Sequence, residues 1–281
     1  MSSISDLPVA PGPWTLKAQT WWFITSFLAK PSILPLSYFD SSEIALYQEC
    51  TKDGAFQGGM GTIMIVRYTE GPVGPYDELM IVPGEFKNPP GAKAKQSLRI
   101  TRIYVSSLAS VVNGRRNWNI PKHLAQFIWT PSMTHRGATE LRVFEATSFS
   151  PIVYSTRPFF AALLKPISIP LPSIPLNLKY SPLPLDLVQP PLSASDEPSV
   201  DGVIATEGWT SIDTSGYKGK VSLVNWEGLL DDDDDETRRP VKKMADGKGF
   251  PDVTPYSVGM HWDHATIEFP AGIPVGGTTT T

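Results

Sequence analysis

A chain of 281 residues that is 41% hydrophobic and only 19% charged is too apolar for disorder and long enough to bury a substantial core. Its 24 basic and 28 acidic side chains give a formal charge of −4, so no basic field exists to attract nucleic acid or an anionic membrane. The one cysteine, Cys50, excludes an internal disulfide, a cysteine-based zinc site and an iron–sulfur cluster.

The N-terminus lacks a basic segment leading into an apolar one, and the run Trp21–Leu28 between Lys17 and Lys30 is too short to span a bilayer, so a soluble cytoplasmic protein is expected. With 28 prolines and 22 glycines, long helices have few places to form and strands and loops should dominate. Thr15–Ala29, stopped by Pro31, is the main helix candidate, although Trp21-Trp22-Phe23-Ile24 suits a strand equally well. Thr62–Tyr68, Glu78–Val82 and Arg99–Ser106 read as strands, being short, rich in β-branched or aromatic residues and bounded by turn formers. Leu141–Thr147 reads the same way, and a short helix is expected within Pro158–Leu164.

From Pro151 to Pro191 ten prolines alternate with Leu and Ile, which predicts a long extended excursion pressed onto the sheet and unable to join a regular ladder. It is too apolar, and too poor in flanking basic residues, for a free polyproline ligand. Val221–Trp226 and Ala265–Phe269 supply later strands, separated by the carboxylate run Asp231–Glu236, which self-repulsion makes a solvated loop rather than a calcium site. Gly276–Thr281 should fray. So many short strands belong to one large curled sheet within a single domain spanning residues 1–281.

Chemistry is concentrated between Gly114 and Ala125, where Lys122 follows Pro121, sits beside His123 and is flanked by Trp118, Ile120 and Leu124. A lysine held by a prolyl turn among apolar side chains loses hydration, its pKa falls, and it becomes a nucleophile near neutral pH. The alternative is a surface lysine beside a half-buried tryptophan. In Gly74-Pro75-Tyr76-Asp77-Glu78 a turn delivers Glu78 to the head of a strand, either as an exposed edge residue or as a carboxylate entering an apolar cavity and suited to moving protons. His261 and His264 lie three apart, point to opposite faces of a strand and do not make a metal site. Gly58-Gly59-Met60-Gly61 precedes a strand and lacks the Lys-Ser/Thr ending of a phosphate loop, and no nucleophile elbow frames Ser106, Ser107 or Ser110.

Gly74-Pro-Tyr-Asp-Glu78, Arg102-Ile-Tyr-Val-Ser-Ser107 and Gly114-Arg-Arg-Asn-Trp-Asn-Ile-Pro-Lys-His-Leu-Ala125 together resemble the acetoacetate decarboxylase-like superfamily, in its longer fungal-type form, over roughly residues 60–130. The resemblance implies a mainly β, α+β fold: a curled, cone-like antiparallel β-barrel with peripheral helices and a central apolar cavity. It places the Schiff-base lysine at Lys122 and the motif glutamate at Glu78. The second lysine of the decarboxylases is His123 here, which is mostly neutral near pH 7. The carboxylate-binding arginine falls at Gln19, and a second acidic residue falls at Ile63, so a neutral or larger carbonyl compound becomes a better candidate than acetoacetate. Arg102 and Arg115 are candidates to hold an anionic group or to serve as structural ion-pair partners, with Trp118 and Tyr104 lining the cavity.

The expected activity is therefore a lyase that forms an iminium on Lys122 from a ketone, aldehyde or β-keto acid and continues by decarboxylation, aldol chemistry or dehydration, without metal or organic cofactor. The alternative is a binding or carrier barrel that keeps the cavity without turnover. Either would take a small carbonyl compound as its partner, and the resemblance implies a homo-oligomer.

Overall fold

The computed structural model describes residues 7–26, 34–167, 172–193, 204–231 and 242–276. Its first half contains β1 (Trp14–Ser26), α1 (Ile44–Thr51), β2 (Phe56–Gly58), β3 (Gly61–Glu70), β4 (Tyr76–Val82), β5 (Glu85–Lys87), β6 (Gln96–Leu98), β7 (Arg102–Val105) and α2 (Leu108–Trp118). Then come β8 (Lys122–Pro131), β9 (Thr139–Phe149), β10 (Ile152–Tyr154), β11 (Phe160–Pro166), β12 (Ile174–Asn177) and β13 (Asp186–Gln189). The chain closes with β14 (Trp209–Asp213), β15 (Tyr217–Gly228), β16 (Val258–Phe269) and β17 (Ile273–Val275).

The large sheet is ordered β10-β9-β11-β15-β16-β1-β3-β4-β7-β8, and β8 also pairs with β9, so the curled ladder returns on itself. A smaller sheet, β17-β14-β13-β6-β5-β2, lies beside it. The large sheet is not purely antiparallel, because β7 and β8 run parallel and α2 makes the crossover between them.

The segment that fits helix or strand from its sequence is the long strand β1. Trp14, Leu16 and Ala18 are buried while Thr15 and Lys17 are exposed, a period of two, and the β-branched and aromatic content that follows fits a pleated surface. Long-range pairing with β16 and β3, invisible to a local reading, decides the matter. The helix expected within 158–164 is replaced by β11, which sits between β9 and β15 and is buried from Phe160 to Leu164. A continuous apolar run suits a strand covered on both faces as well as a buried helix. That strand also corrects the picture of a proline-rich excursion outside the ladder. Prolines 158 and 166 bracket a proline-free stretch that hydrogen-bonds on both sides, and β12 and β13 pair as well. Most of the acidic run, 232–236, and the tail 277–281 fall outside the described residues, whereas Asp231 is exposed.

The strands carry two apolar clusters on opposite faces. One takes Trp14 and Leu16 from β1, Met64 and Val66 from β3 and Met80 from β4, and packs against α2 and the smaller sheet through Trp118, Leu187 and Ile212. The other uses the alternate residues, Trp21, Phe23, Ile63, Ile65, Leu79 and Ile81, with Phe160 and Phe250. No helix among the described residues is long and apolar enough to cross a membrane.

Candidate active site

Pairing places the site. β4 lies between β3 and β7, with Glu78 opposite Val66 on one side and Val105 on the other. The parallel step from β7 to β8 sets Lys122 beside Ile103. Both charged side chains therefore fall on the face that packs against α2 and the smaller sheet. Ser107 caps the start of α2, Asn119 ends it in the left-handed conformation at φ 54°, and the chain then turns directly into Lys122.

Lys122 and Glu78 are 4% and 2% exposed, and Lys122 Nζ donates to Glu78 Oε2 at 2.7 Å and to Ser110 Oγ at 3.1 Å. Tyr68 Oη donates to the other carboxylate oxygen, Oε1, at 3.1 Å, and its ring stacks on Tyr76 at 4.4 Å. The ammonium lies 5.2 Å from the centroid of the Tyr76 ring. This polar group lines a cavity of about 90 Å³ whose walls are otherwise mainly apolar, including Trp14, Trp22 and Trp118, with Met64, Met80 and Leu187. This is well above the roughly 10–15 Å³ needed to admit one water, so the space has room for several waters or a small organic molecule.

The amine is not the uncharged group expected from its apolar flanks. Burial does act against the ammonium, but the Glu78 carboxylate and the Glu78 and Tyr76 hydrogen bonds outweigh it and hold the Lys122 pKa above the ordinary lysine value. Burial, reinforced by Glu78, pushes the Tyr68 phenol well above its usual range, so it stays a donor. The arrangement is a buried acid–base pair in which one short proton shift from Nζ to Oε2 leaves a neutral amine and a neutral carboxylic acid.

Gly114 packs directly on the lysine stem. A Cβ built there would sit 2.6 Å from Lys122 Cδ and 2.8 Å from Cε. Gly114→Ala is expected to displace the amine from Glu78 while leaving the fold intact, because the obstructed atoms belong to a flexible chain. Loss of covalent labelling at Lys122 with a nearly unchanged melting temperature checks this.

Trp118 is on the cavity wall. The other candidates lie elsewhere. Tyr104 belongs to the opposite face, where its hydroxyl donates to Gly249 O at 2.9 Å and accepts from Arg102. Arg102 also donates to the carbonyls of Ser37 and Lys248. Arg115 is fully buried against Glu43, which also meets His123 Nε2 at 3.0 Å. Gln19 faces outward, bonded to Asp263 at 2.8 Å, and the cavity-facing residues of β1 include Leu16 and Trp22 instead. Ile63 is buried in the second cluster, and its neighbours Thr62 and Met64 face the cavity. Strand alternation explains both displacements, since a carry-over that is off by one residue lands on the wrong face. His261 stacks on Trp21 at 4.8 Å, whereas the His264 side chain is exposed.

His123 likewise departs from expectation. Burial disfavours its charge, yet Asp40 and Glu43 together hold its pKa above the ordinary imidazole value. Asp40 is brought down to about 2, because His123, the Ser42 amide and Arg102 outweigh its burial. The raised histidine contributes stability that is fully present below the ordinary imidazole pKa and is lost as pH rises through the folded value. The lowered aspartate contributes above the ordinary carboxylate pKa, and that part is lost as pH falls through about 2. Melting temperature measured against pH should therefore decline as pH rises above the ordinary imidazole pKa, and His123→Gln should flatten that limb.

The sequence reading missed Tyr68, Tyr76, Tyr217 and Ser110 as members of the site. Tyr68 and Tyr76 are partners across the β3–β4 hairpin, so pairing that hairpin would have revealed both beside Glu78. Tyr217 comes from a distant strand and carries no local signal.

The structure of acetoacetate decarboxylase from Legionella pneumophila subsp. pneumophila str. Philadelphia 1 superposes over 98% of this chain and 92% of its own, with a TM-score of 0.55 at 11% identity. The chain shares the fold of acetoacetate decarboxylase. The same fold is shared with the enduracididine biosynthesis enzyme MppR complexed with pyruvate, at TM-score 0.51, 10% identity and coverage of 94% of this chain and 91% of that one. A stretch of 76 residues is 33% identical to Protein NEOXANTHIN-DEFICIENT 1 of Oryza sativa subsp. japonica. That stretch is 27% of this chain and 24% of the rice protein. No family model matches the chain.

Proposed function

We propose that this chain is an enzyme that captures a carbonyl compound as an iminium on Lys122, with Glu78 as the group that moves the proton. The observation that carries the reading is the buried Nζ to Oε2 contact of 2.7 Å on the wall of an apolar cavity. Glu78 takes a proton from the ammonium. The freed amine adds to the carbonyl carbon, the C=O π electrons pass to oxygen, and the protonated Glu78 returns its proton there. Glu78 then takes a second proton, from the carbinolamine nitrogen, and passes it to the hydroxyl; the lone pair so freed expels water and forms the C=N bond, so that ketone plus ammonium gives iminium plus water. The decarboxylase and the pyruvate complex of MppR among the structural neighbours support a carbonyl substrate. The same reading carries a cytoplasmic homo-oligomer whose iminium step uses neither metal nor organic cofactor.

One observation favours a second reading, a binding barrel without turnover: the ion pair keeps the amine protonated at rest. Incubation with carbonyl compounds and borohydride, followed by peptide mass mapping, separates the two. Reduction of an iminium leaves a stable secondary amine on Lys122, and this is the expected result. Saturable ligand binding without any label would overturn the enzymatic reading in favour of the carrier.

A further inference from the structure

We propose that the Lys122 chamber selects a neutral, apolar ketone or aldehyde and rejects keto acids. The covalent readout rests on the iminium reading above, whereas the ligand class rests on the chamber itself. Lys122 and Glu78 are the charged side chains on its wall, and at 2.7 Å they neutralise each other. Among the described residues of the wall, no positive charge is left over for a substrate carboxylate. The arginines that might have supplied one are turned away, Arg115 to Glu43 and Arg102 to Tyr104 and two backbone carbonyls.

Two of the hydroxyls on the wall are also committed. Tyr68 Oη is bonded to Glu78 Oε1, and Thr214 Oγ1 is bonded to Leu185 O. An entering carboxylate would lose its hydration, find no guanidinium and face the Glu78 anion in a low-dielectric space, where like charges repel most strongly. A hydrocarbon chain would instead meet Trp22, Met64, Met80 and Leu187. One carbonyl oxygen directed at the Lys122–Glu78 pair is the polar feature such a ligand needs.

The test uses 2-hexanone, 2-oxohexanoate and methyl 2-oxohexanoate, the ester being larger than the acid but uncharged. Borohydride labelling of Lys122 is measured for each, and each rate is divided by that of the same compound with N-α-acetyllysine to remove intrinsic reactivity. Tryptophan fluorescence is titrated in parallel, since Trp14, Trp22 and Trp118 line the chamber. The expected result is that both neutral compounds label at least about tenfold faster than the acid and saturate the fluorescence change at lower concentration. Equal or faster labelling by the acid overturns the selectivity and leaves the iminium reading standing. Absence of label from all three, with fluorescence saturating for the neutral pair alone, overturns the iminium reading and upholds the ligand class. Fluorescence that saturates equally for all three, or for none, overturns the ligand class.

Discussion

Lys122→Arg is expected to reduce borohydride-dependent labelling to background while the protein stays folded. The guanidinium remains protonated in any protein environment and offers no lone pair to a carbonyl carbon, so the nucleophile is lost although its charge is kept. Glu78 then still faces a cation. Lys122→Met makes the necessary contrast, because it removes nucleophile and charge together and leaves Glu78, at 2% exposure, buried without its partner. Breaking a buried pair from one side typically costs about 3–5 kcal/mol. The arginine variant should thus melt near the parent and the methionine variant well below it, with neither labelled. Labelling of the arginine variant at another residue would move the nucleophile elsewhere and end the proposed role of Lys122.

The second large effect lies behind the same strand. Arg115 and Glu43 are both fully buried, and Glu43 Oε2 has no hydrogen-bond partner among the described residues, so Arg115 and His123 carry the neutralisation of that carboxylate through Oε1. Arg115→Ala should destabilise the protein by about 3–5 kcal/mol, a fall in melting temperature on the order of 10 °C. A double substitution, Glu43→Leu with Arg115→Met, removes both charges and should recover most of the loss, since apolar side chains of similar volume replace such pairs at little cost. A single variant as stable as the parent would show that the pair contributes nothing net.

Much of this architecture is readable in the residues. Thr62–Tyr68 and Glu78–Val82 form strands because their β-branched and apolar content is bounded by turn formers, and the Gly74-Pro75 turn delivers Glu78 as its motif suggests. Lys122 is buried for the reason its neighbours give. What a linear reading does not supply is pairing. β1 and β11 present apolar runs that fit helix or strand, and only partners far away in the chain choose between them. The helix α2 was hidden in the opposite sense. Val111 and Val112 and the Asn113-Gly114 pair lower its intrinsic propensity, and packing of Val111 and Trp118 into the core overrides that. Charge state was equally hidden, because apolar flanks predict a depressed amine, whereas the carboxylate brought across two strands reverses the sign.

Lys122 and His123 are consecutive yet serve opposite faces of β8, one in the apolar chamber and one in the acidic nest of Asp40 and Glu43. The strand is thus a partition one side chain thick. A slip of one position would carry the imidazole into the chamber and strand the ammonium among the carboxylates of the nest, losing nucleophile and neutralising partner together. The bend at Pro121 and the lateral contacts Ile103↔Lys122 and Tyr104↔His123 pin that alignment. Insertions or deletions between Asn119 and Lys122 should accordingly be far more damaging than substitutions there, because they shift the phase of the wall rather than one of its bricks.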